Sequence, residues 1–337
     1  MLFQKPPPKQ AIKDNAFLGE NVSGASSKRR GGVRHGASLF VLALLLMGTA
    51  EGKIVPLDHR FDEPVSSGIG GRTVLVEEIT ATWCPSCAQI DPQLLMVADS
   101  HASRIALVAL HPSDGEDAFQ PEASQHRIDR LKGGDAGLGN STPTFVVEGG
   151  EPRMGYDAWP DVQKDILDAE LQRQLVSELA FEVVKTETGY KATITHAQLV
   201  DNVSGQLTFL LLEHDKPMPQ AAVNPGGATR DRVVVAAAEC VLVNDTITTT
   251  IGFESVAIGE ACTDEFSVEF EALESWSVLL LHEATAETVQ HQGNVPSFGA
   301  VELAFRDRAE QPEASSFEGA LLLACGVLAL VGLWRKK

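Results

Sequence analysis

The sequence predicts an α/β domain, then an all-β sandwich domain, then a C-terminal transmembrane helix. Two strand-like runs at residues 74–79 and 104–110, rich in branched apolar residues, have a helical pattern between them, which is typical of an α/β domain. After residue 176, eight short strand patterns follow with almost no helix signal, as in a β-sandwich. The last apolar run, at 319–334, carries no charged residue and ends in three cations.

Length and charge limit the possible functions. A chain of 337 residues suits two domains plus tails, and a composition that is 44% hydrophobic can build real cores. The net charge is −19, and both ends of the chain are basic, so the body between them is more acidic than the whole. An acidic body repels phosphate backbones. We therefore expect no nucleic-acid partner and interpret the acidity as a solvated surface.

The first 50 residues have the pattern of a targeting segment. A basic group, Lys28-Arg29-Arg30, precedes an apolar core at residues 38–50, which ends in small residues and is too short to span a bilayer comfortably. We expect a signal peptide with a long basic region; an uncleaved signal anchor is the alternative. Residues 51–72 contain Pro56 and Pro64 and end in glycines, which is typical of a linker.

Two cysteines follow the first predicted strand, residues 74–79. Cys84 and Cys87 are separated by two residues, and a helical pattern follows at 88–98, with a kink expected at Pro92. A cysteine at a helix N-terminus is stabilised as a thiolate by unpaired N–H groups and the helix dipole. Cys87, one turn on, could then resolve a mixed disulfide formed at Cys84. An inert structural disulfide is the alternative.

No metal site or cofactor is expected. A C-x-x-C pair is also half of a zinc site, but the sequence has no second C-x-x-C or H-x-x-x-H to complete one. His111, Asp114, Glu116 and Asp117 lie close together, yet their spacing matches no calcium loop. We interpret this stretch as a polar surface loop.

Further residues around the cysteines form a recognisable set. Trp83 precedes Cys84, and Glu78 lies six residues before it. Glu77 points to the opposite face of the strand from Glu78, so we expect only one of the two to be buried. Thr142-Pro143 precedes another strand pattern at 145–148. Taken singly, Trp83 could be a core residue, Glu78 a solvated carboxylate and Pro143 an ordinary trans proline.

Over roughly residues 73–176 the sequence resembles the thioredoxin superfamily, and most closely its extracytoplasmic, TlpA-like thiol-disulfide oxidoreductases. The resemblance implies a thioredoxin-like fold with Cys84 as the attacking thiolate and Cys87 as the resolving thiol. It further implies that Glu78 relays a proton and that Pro143 belongs to a cis-proline loop facing the dithiol. The residues expected to contact the substrate are Trp83, Pro85 and Thr142.

The rest of this domain is predicted to contain one more buried strand and two helices. In the run at 104–110, every residue after Arg104 is apolar, as in a strand covered on both faces. A helix is predicted over 122–132, ended by Gly133-Gly134, and a closing helix over 157–176.

Residues 177–308 are predicted to form the β-sandwich, which is Ig-like in architecture only. The predicted strands cover 179–185, 190–199, 206–213, 232–243, 246–253, 265–273, 275–283 and 300–305. No catalytic constellation is evident in this domain. Cys240 and Cys262 are expected to pair as a structural disulfide in an oxidising compartment, with two buried thiols as the alternative.

The tail consists of a polar linker at 309–318 and a predicted transmembrane helix at 319–337 with a basic stop. Its apolar run would be about 24 Å long at ~1.5 Å per residue, a little short of a ~30 Å hydrocarbon core, which snorkelling and local thinning can accommodate. Because basic residues stay on the cytoplasmic side, the body faces outward. A processed cell-surface sorting tail and a buried core helix are the alternatives.

Together these features predict a membrane-anchored, extracytoplasmic thiol-disulfide oxidoreductase, on the cell surface or in the periplasm. Its expected partners are cysteine-containing exported proteins and a membrane or envelope redox partner. The alternative is a non-catalytic surface interaction protein that uses the thioredoxin fold as a scaffold and binds through the β-domain.

Overall fold

The structure, a computed structural model, describes residues 52–101, 104–138, 141–172, 176–201 and 203–307. These residues belong to one compact unit and are mostly β-sheet, with few helices. The predicted signal region (1–50), polar linker (309–318) and transmembrane helix (319–337) lie outside the described residues. Within the described ranges, no helix combines the length and the hydropathy needed to cross a membrane.

The secondary structure alternates strands and helices up to residue 172 and is almost entirely β after that. The strands are β1 (Lys53–Val55), β2 (Val65–Ser66), β3 (Val74–Ile79), β4 (Ile105–Leu110), β5 (Thr144–Val147), β6 (Arg153–Met154), β7 (Glu178–Lys185), β8 (Gly189–Gln198), β9 (Gln206–Glu213), β10 (Lys216–Pro217), β11 (Thr229–Arg230), β12 (Val233–Val241), β13 (Thr246–Ile251), β14 (Ser255–Ala257), β15 (Ser267–Glu271), β16 (Trp276–Glu283) and β17 (Gly299–Phe305). The helices are α1 (Pro85–His101), α2 (Glu122–Gly134), α3 (Trp159–Gln172) and α4 (Ala286–Gln292).

Strand β3 organises the N-terminal part of the sheet. It pairs in parallel with β4 and antiparallel with β5. Helices α1 and α3 pack on one face of these strands, and α2 packs on the other. Because both faces are covered, every residue of β3 and β4 is buried, which is why β4 is an apolar run rather than an alternating pattern.

The N-terminal strands and the C-terminal strands form one sheet. Strand β12 pairs in parallel with β4 at Val233 and Ala109, and the amide of Ala109 donates to the carbonyl of Arg232 at 2.9 Å. The order is β1-β17-β16-β9-β12-β4-β3-β5-β6, with β13 also on β12. Strands from both predicted domains therefore share a continuous ten-stranded sheet.

A second sheet of five strands, β14-β15-β8-β7-β2, packs against the C-terminal half of the larger sheet. Between the two sheets lies an aromatic core that includes Phe209, Phe266 and Trp276, all fully buried. Cys240 and Cys262 lie in this core and are bonded to each other.

The predicted elements agree with the structure where the periodic pattern is long. All eight strands predicted after residue 176 are present, with ends within two residues of the expected positions. The segment 52–72, predicted as part of a linker, contains two short strands: β1 pairs with β17 and β2 pairs with β7. Strands of two or three residues are too short to show a period, so only their partners reveal them.

Glu77 and Glu78 are both buried, so the expectation that only one of them would be is wrong. Glu77 points toward α2 and accepts hydrogen bonds from the Arg127 guanidinium at 2.8 and 3.1 Å. Arg127 also donates to Glu283 of β16 at 2.7 and 2.9 Å. The two side chains lie on opposite faces of β3, but α2 and Arg127 cover the face of Glu77, so neither face is open to water.

Candidate functional site

Cys84 and Cys87 are bonded to each other at the start of α1, with their Cα atoms 5.3 Å apart. Cys84 immediately precedes the helix, and its carbonyl accepts a hydrogen bond from the amide of Ala88. The amide of Cys87 points at Cys84 Sγ at 3.1 Å. An N–H group and the helix dipole directed at this sulfur favour a negative charge there.

A cis peptide bond between Thr142 and Pro143 lies beside the disulfide. Ser86, between the two cysteines, connects them to this loop: its Oγ is 3.4 Å from Cys84 Sγ and donates to the carbonyl of Thr142 at 3.5 Å. Pro143 is buried, whereas Thr142 is partly exposed. The predicted catalytic proline therefore adjoins the predicted redox pair, although the two are more than 50 residues apart in the chain.

The disulfide itself is shielded from solvent. Cys84 is 2% exposed and Cys87 1%. The turn at 224–227 lies against the start of α1, where a Cβ on Gly226 would come within 3.0 Å of the Cβ of Ala88. Arg230 holds this turn in place by donating to the Thr82 carbonyl at 3.2 Å and to Asn224 Oδ1 at 2.8 Å. A thiol can reach Cys84 only after one of its neighbours moves.

The remaining predicted contact residues surround the disulfide. Pro85 is exposed and Trp83 is partly exposed. The Trp83 indole N–H donates to Asp114 Oδ2 at 3.1 Å, and the ring packs on the cluster formed by Ala81 and the two cysteines. Trp83 is thus at the edge of the site rather than in the main core.

In the stretch from His111 to Asp117, predicted as a polar surface loop, residues 113–116 are exposed, whereas its two ends are anchored in the fold. Both end residues are buried, and His111 Nδ1 lies 2.8 Å from Asp117 Oδ2. The same carboxylate accepts the amide of Thr82 at 2.7 Å. Burial alone would raise the pKa of Asp117, but its bonds to His111 and to backbone amides lower it below the usual value. Among the described residues, no three potential metal ligands are grouped.

Glu78 lines a cavity of about 120 Å³ beneath α1, together with Asp91, His111, Arg230 and Asp231. Burial, and then the charge of Asp91, raise the pKa of Glu78 well above its ordinary value, although a hydrogen bond with Thr80 lowers it. Burial also raises the pKa of Asp91 to about 6, against the opposing effect of Arg230. Glu78 is therefore not a solvated strand-end carboxylate.

Asp91 was not identified from the sequence. The available signal was its position four residues after Cys87, which places the two side chains on the same face of the helix. Arg230, the other charged neighbour of the site, lies 143 residues beyond Cys87. No local pattern connects it to the dithiol.

His214 lies between Asp231 and Ser277 in an arrangement like that of a hydrolytic triad. Its Nδ1 contacts the Asp231 carboxylate, and its Nε2 is 2.7 Å from Ser277 Oγ. Ser277, however, is fully buried in β16, between β9 and β17. A substrate has no access to that hydroxyl, so we interpret this group as a structural polar network.

A larger groove, about 780 Å³, lies elsewhere on the described part of the molecule. It is lined by residues of the β5–β6 connection, of α3 and of the segment 296–298. Its charges are paired, as in the 2.7 Å contact between Arg153 Nε and Asp165. No cysteine lines it, so we centre the candidate site on the disulfide.

No protein-family model matches the sequence, and no curated protein matches it. Among solved structures, HBP35 of Porphyromonas gingivalis is similar over 73% of this chain and 80% of its own, with 18% identity and a TM-score of 0.46. A protein of Agrobacterium tumefaciens solved as a structural genomics target is similar over 71% and 97%, with 12% identity and a TM-score of 0.44. Both scores are too low to support a functional inference.

Proposed function

We propose that this protein is a membrane-anchored, extracytoplasmic thiol-disulfide oxidoreductase of the thioredoxin superfamily. The observation that carries the proposal is the joint geometry of the disulfide at the start of α1 and the cis Thr142–Pro143 bond, connected through Ser86. A structural disulfide needs neither a helix N-terminus nor an adjacent cis-proline loop. The redox function accounts for both, because it needs a stabilised thiolate and a place to dock the partner.

The chemistry is thiol-disulfide exchange. A thiolate of the partner attacks Cys84 Sγ and forms a mixed disulfide, while the bond to Cys87 breaks and Cys87 leaves as a thiolate that takes up a proton. A second partner thiolate then attacks the partner's own sulfur and releases Cys84 as a thiolate. The partner is oxidised to a disulfide and the protein is reduced to a dithiol. The reverse sequence reduces a partner disulfide.

The partner in this proposal is an exported protein that presents a cysteine in an extended segment. The exposed surface of Pro85 and the partly exposed Trp83 and Thr142 surround the sulfur that it must reach. The backbone at Thr142–Pro143 would pair with the segment as an added strand. A membrane or envelope redox protein would reset the dithiol after each cycle.

In this proposal, residues 73–176 form a thioredoxin-like domain and residues 177–308 an Ig-like sandwich. The tail at 319–337 would anchor the protein in the membrane with its body outside the cytoplasm. The basic cluster at the chain end and the apolar run before it support this orientation.

A second function, a non-catalytic surface interaction protein, is favoured by the burial of Cys84. A nucleophile that is 2% exposed is shielded from a partner protein, as a scaffold disulfide would be. Oxidoreductase activity requires that a side chain packed on Cys84, such as that of Trp83, moves away. In the second function, the disulfide is only structural and the β-domain binds the partner.

Trapping tests the first function against the second. In cells producing the Cys87→Ser variant, mixed disulfides between Cys84 and other exported proteins should accumulate, because the resolving thiol is missing. They should be visible as reductant-sensitive bands on non-reducing gels. Cys84→Ser is the matched control and should trap none through this pair. If Cys87→Ser traps nothing and the reduced native protein resists alkylation, the scaffold function stands.

A further inference from the structure

A hairpin arm at residues 217–228, which joins β10 to β11, has an uncharged surface. It contains no Asp, Glu, Lys or Arg, although the chain has a net charge of −19, and all of its residues except Gln220 and Asn224 are Val, Met, Ala, Pro or Gly. None of the arm residues is buried, and Val223 is 71% exposed. Single exposed apolar residues are common on proteins, but a contiguous exposed apolar stretch is typical of an interaction site.

The arm is held in one shape by its own hydrogen bonds. The amide of Met218 donates to the carbonyl of Ala228 at 2.9 Å, which continues the antiparallel pairing of β10 with β11. At the tip, Asn224 Nδ2 donates to the carbonyl of Gly227 at 2.8 Å, and Asn224 Oδ1 accepts the amide of Gly226 at 3.0 Å. A surface that is already ordered loses little conformational entropy when a partner binds.

The base of the arm is attached to the N-terminal half of the molecule. The Lys216 ammonium group lies 5.3 Å from the centre of the Phe119 ring. On the other strand, the Arg230 guanidinium donates to the carbonyl of Thr82 at 3.2 Å. The arm therefore has a fixed position relative to the residue that precedes Trp83, even though it belongs to the β-rich half of the chain.

The arm and the cis-proline loop flank the start of α1 on opposite sides. Gly226 of the arm lies against Ala88, because a Cβ on this glycine would be 3.0 Å from the Ala88 Cβ. Ser86 contacts the carbonyl of Thr142 in the cis-proline loop. Successive helical residues are about 100° apart, so Ser86 and Ala88 point to nearly opposite sides of the helix. A segment that crosses the exposed Pro85 from the cis-proline loop therefore reaches the arm.

We propose that the arm binds an apolar stretch of an unfolded exported protein, next to the cysteine that reacts with Cys84. The inference rests on the proposed function and adds the class of substrate to it. An uncharged surface gains no free energy from ion pairing, so its favourable contribution is the removal of apolar surface from water. Folded proteins bury most of their large apolar side chains. The partner that presents an apolar stretch beside its cysteine is therefore a chain that has not yet folded.

The test compares two reduced peptides of equal length, each with a single cysteine, which Leu and Val residues flank in one peptide and Ser and Gln residues in the other. Two peptide thiols are oxidised to one peptide disulfide while the Cys84–Cys87 bond is reduced to a dithiol. With the purified, oxidised protein at low peptide concentration, the apolar peptide should react about 10-fold faster, because burying one valine-sized side chain stabilises a complex by about that factor. Dithiothreitol needs no docking and measures the reactivity of the disulfide alone.

Val223→Asp places a charge on the exposed arm. The rate with the apolar peptide should fall about 10-fold in this variant, whereas the rates with the polar peptide and with dithiothreitol should keep their wild-type values. Val243→Asp is the matched control, because Val243 is 81% exposed and lies beyond the end of β12 that is remote from the arm. It should react like the wild type with all three reductants.

The other outcomes overturn the proposal in distinguishable ways. If Val223→Asp keeps the wild-type preference, or if the wild type shows none, the arm does not bind substrate and the oxidoreductase stands. If all three reductants are slowed in Val223→Asp, the arm acts on the disulfide itself. If sedimentation shows a wild-type dimer that Val223→Asp dissociates, the arm is a contact between copies. If neither peptide nor dithiothreitol reduces the native disulfide, the proposed function fails as well.

Discussion

At the scale of single residues, Thr82 determines how the chain enters the redox motif. Its amide donates to Asp117, its hydroxyl accepts the amide of Ala118, and its carbonyl accepts from Arg230. These partners come from the segment after β4 and from β11, so two distant parts of the chain hold the residue before Trp83. A backbone fixed in this way keeps Cys84 at the helix terminus and beside the cis-proline loop.

Replacing Asp117 with Asn should weaken this junction. The carboxylate accepts bonds from Thr82, Phe119 and His111, and an amide cannot accept all of them in its place. We expect the free energy of unfolding at pH 7 to fall by about 2 kcal/mol. Because the folded pKa of Asp117 is lowered, its contribution is present above the unfolded pKa and is lost as the pH falls through the folded value.

Urea denaturation at pH 7 and at progressively lower pH measures this effect. The difference between wild type and Asp117→Asn should shrink toward acid. Asp62→Asn, an exposed acid in the segment before β3, should change the unfolding free energy by only a few tenths of a kcal/mol. If the difference in unfolding free energy between the two proteins grows as the pH falls, the pKa of Asp117 is not lowered in the folded state.

At the scale of elements, α2 is held to two strands by one buried arginine. Arg127 is 1% exposed and pairs with Glu77 of β3 and Glu283 of β16 at 2.8 and 2.7 Å. Burial would raise the pKa of Glu283, but Arg127 and Arg130 lower it to about 2. The two strands belong to the two halves of the large sheet, so this helix connects them electrostatically as well as through its apolar face.

Arg127→Met should be strongly destabilising, because it leaves two buried carboxylates without their main cation. We expect a loss of about 3–5 kcal/mol in the free energy of unfolding at neutral pH. The pairing of Glu283 contributes stability above its unfolded pKa and loses it as the pH falls toward about 2. The loss in Arg127→Met should therefore be smaller in acid.

Chemical denaturation of Arg127→Met beside the triple variant Arg127→Met, Glu77→Gln, Glu283→Gln checks the cause. The triple variant buries no unpaired carboxylate at these positions and should recover part of the stability. If the free energy of unfolding of Arg127→Met is within about 1 kcal/mol of the wild-type value, the ion pairs of Arg127 contribute little.

At the scale of the whole molecule, the two halves share one apolar core. One buried cluster contains Leu75 and Val108 from the N-terminal strands together with Leu210, Val234 and Leu279 from the C-terminal strands. Neither half can keep this cluster out of water alone. Folding of the two regions should therefore be coupled, although the sequence predicts them as two domains.

We expect a single cooperative unfolding transition for the region from 49 to 307. Trp159 on α3 and Trp276 on β16 report on the two halves, and both are buried. In variants that keep only one of these two tryptophans, with the other tryptophans changed to Phe, the fluorescence transitions in urea should coincide. If the urea midpoints of the two variants differ by more than the difference in their overall stability explains, the halves unfold independently.

The local pattern of the sequence was sufficient for much of this protein. The strands after residue 176, helices α1 and α2, and the position of Cys84 at a helix terminus all follow from periodicities and short motifs that involve neighbouring residues. The adjacency of Pro143 to the cysteines came from a family resemblance rather than from the residues alone, and here the structure brings them together. The strands, the helices and the position of Cys84 depend on residues within a few turns or one strand of one another, whereas the adjacency of Pro143 does not.

Tertiary structure decided which distant surface covers each element. Several contacts join residues that no local period relates: the pairing of β12 with β4, the burial of Glu77 by Arg127, the contact of Gly226 with Ala88, and the meeting of Glu78 with Asp91. An amphipathic pattern records which face of an element avoids water. It does not record which other part of the chain excludes the water, and burial, charge pairing and proton affinity all depend on that partner.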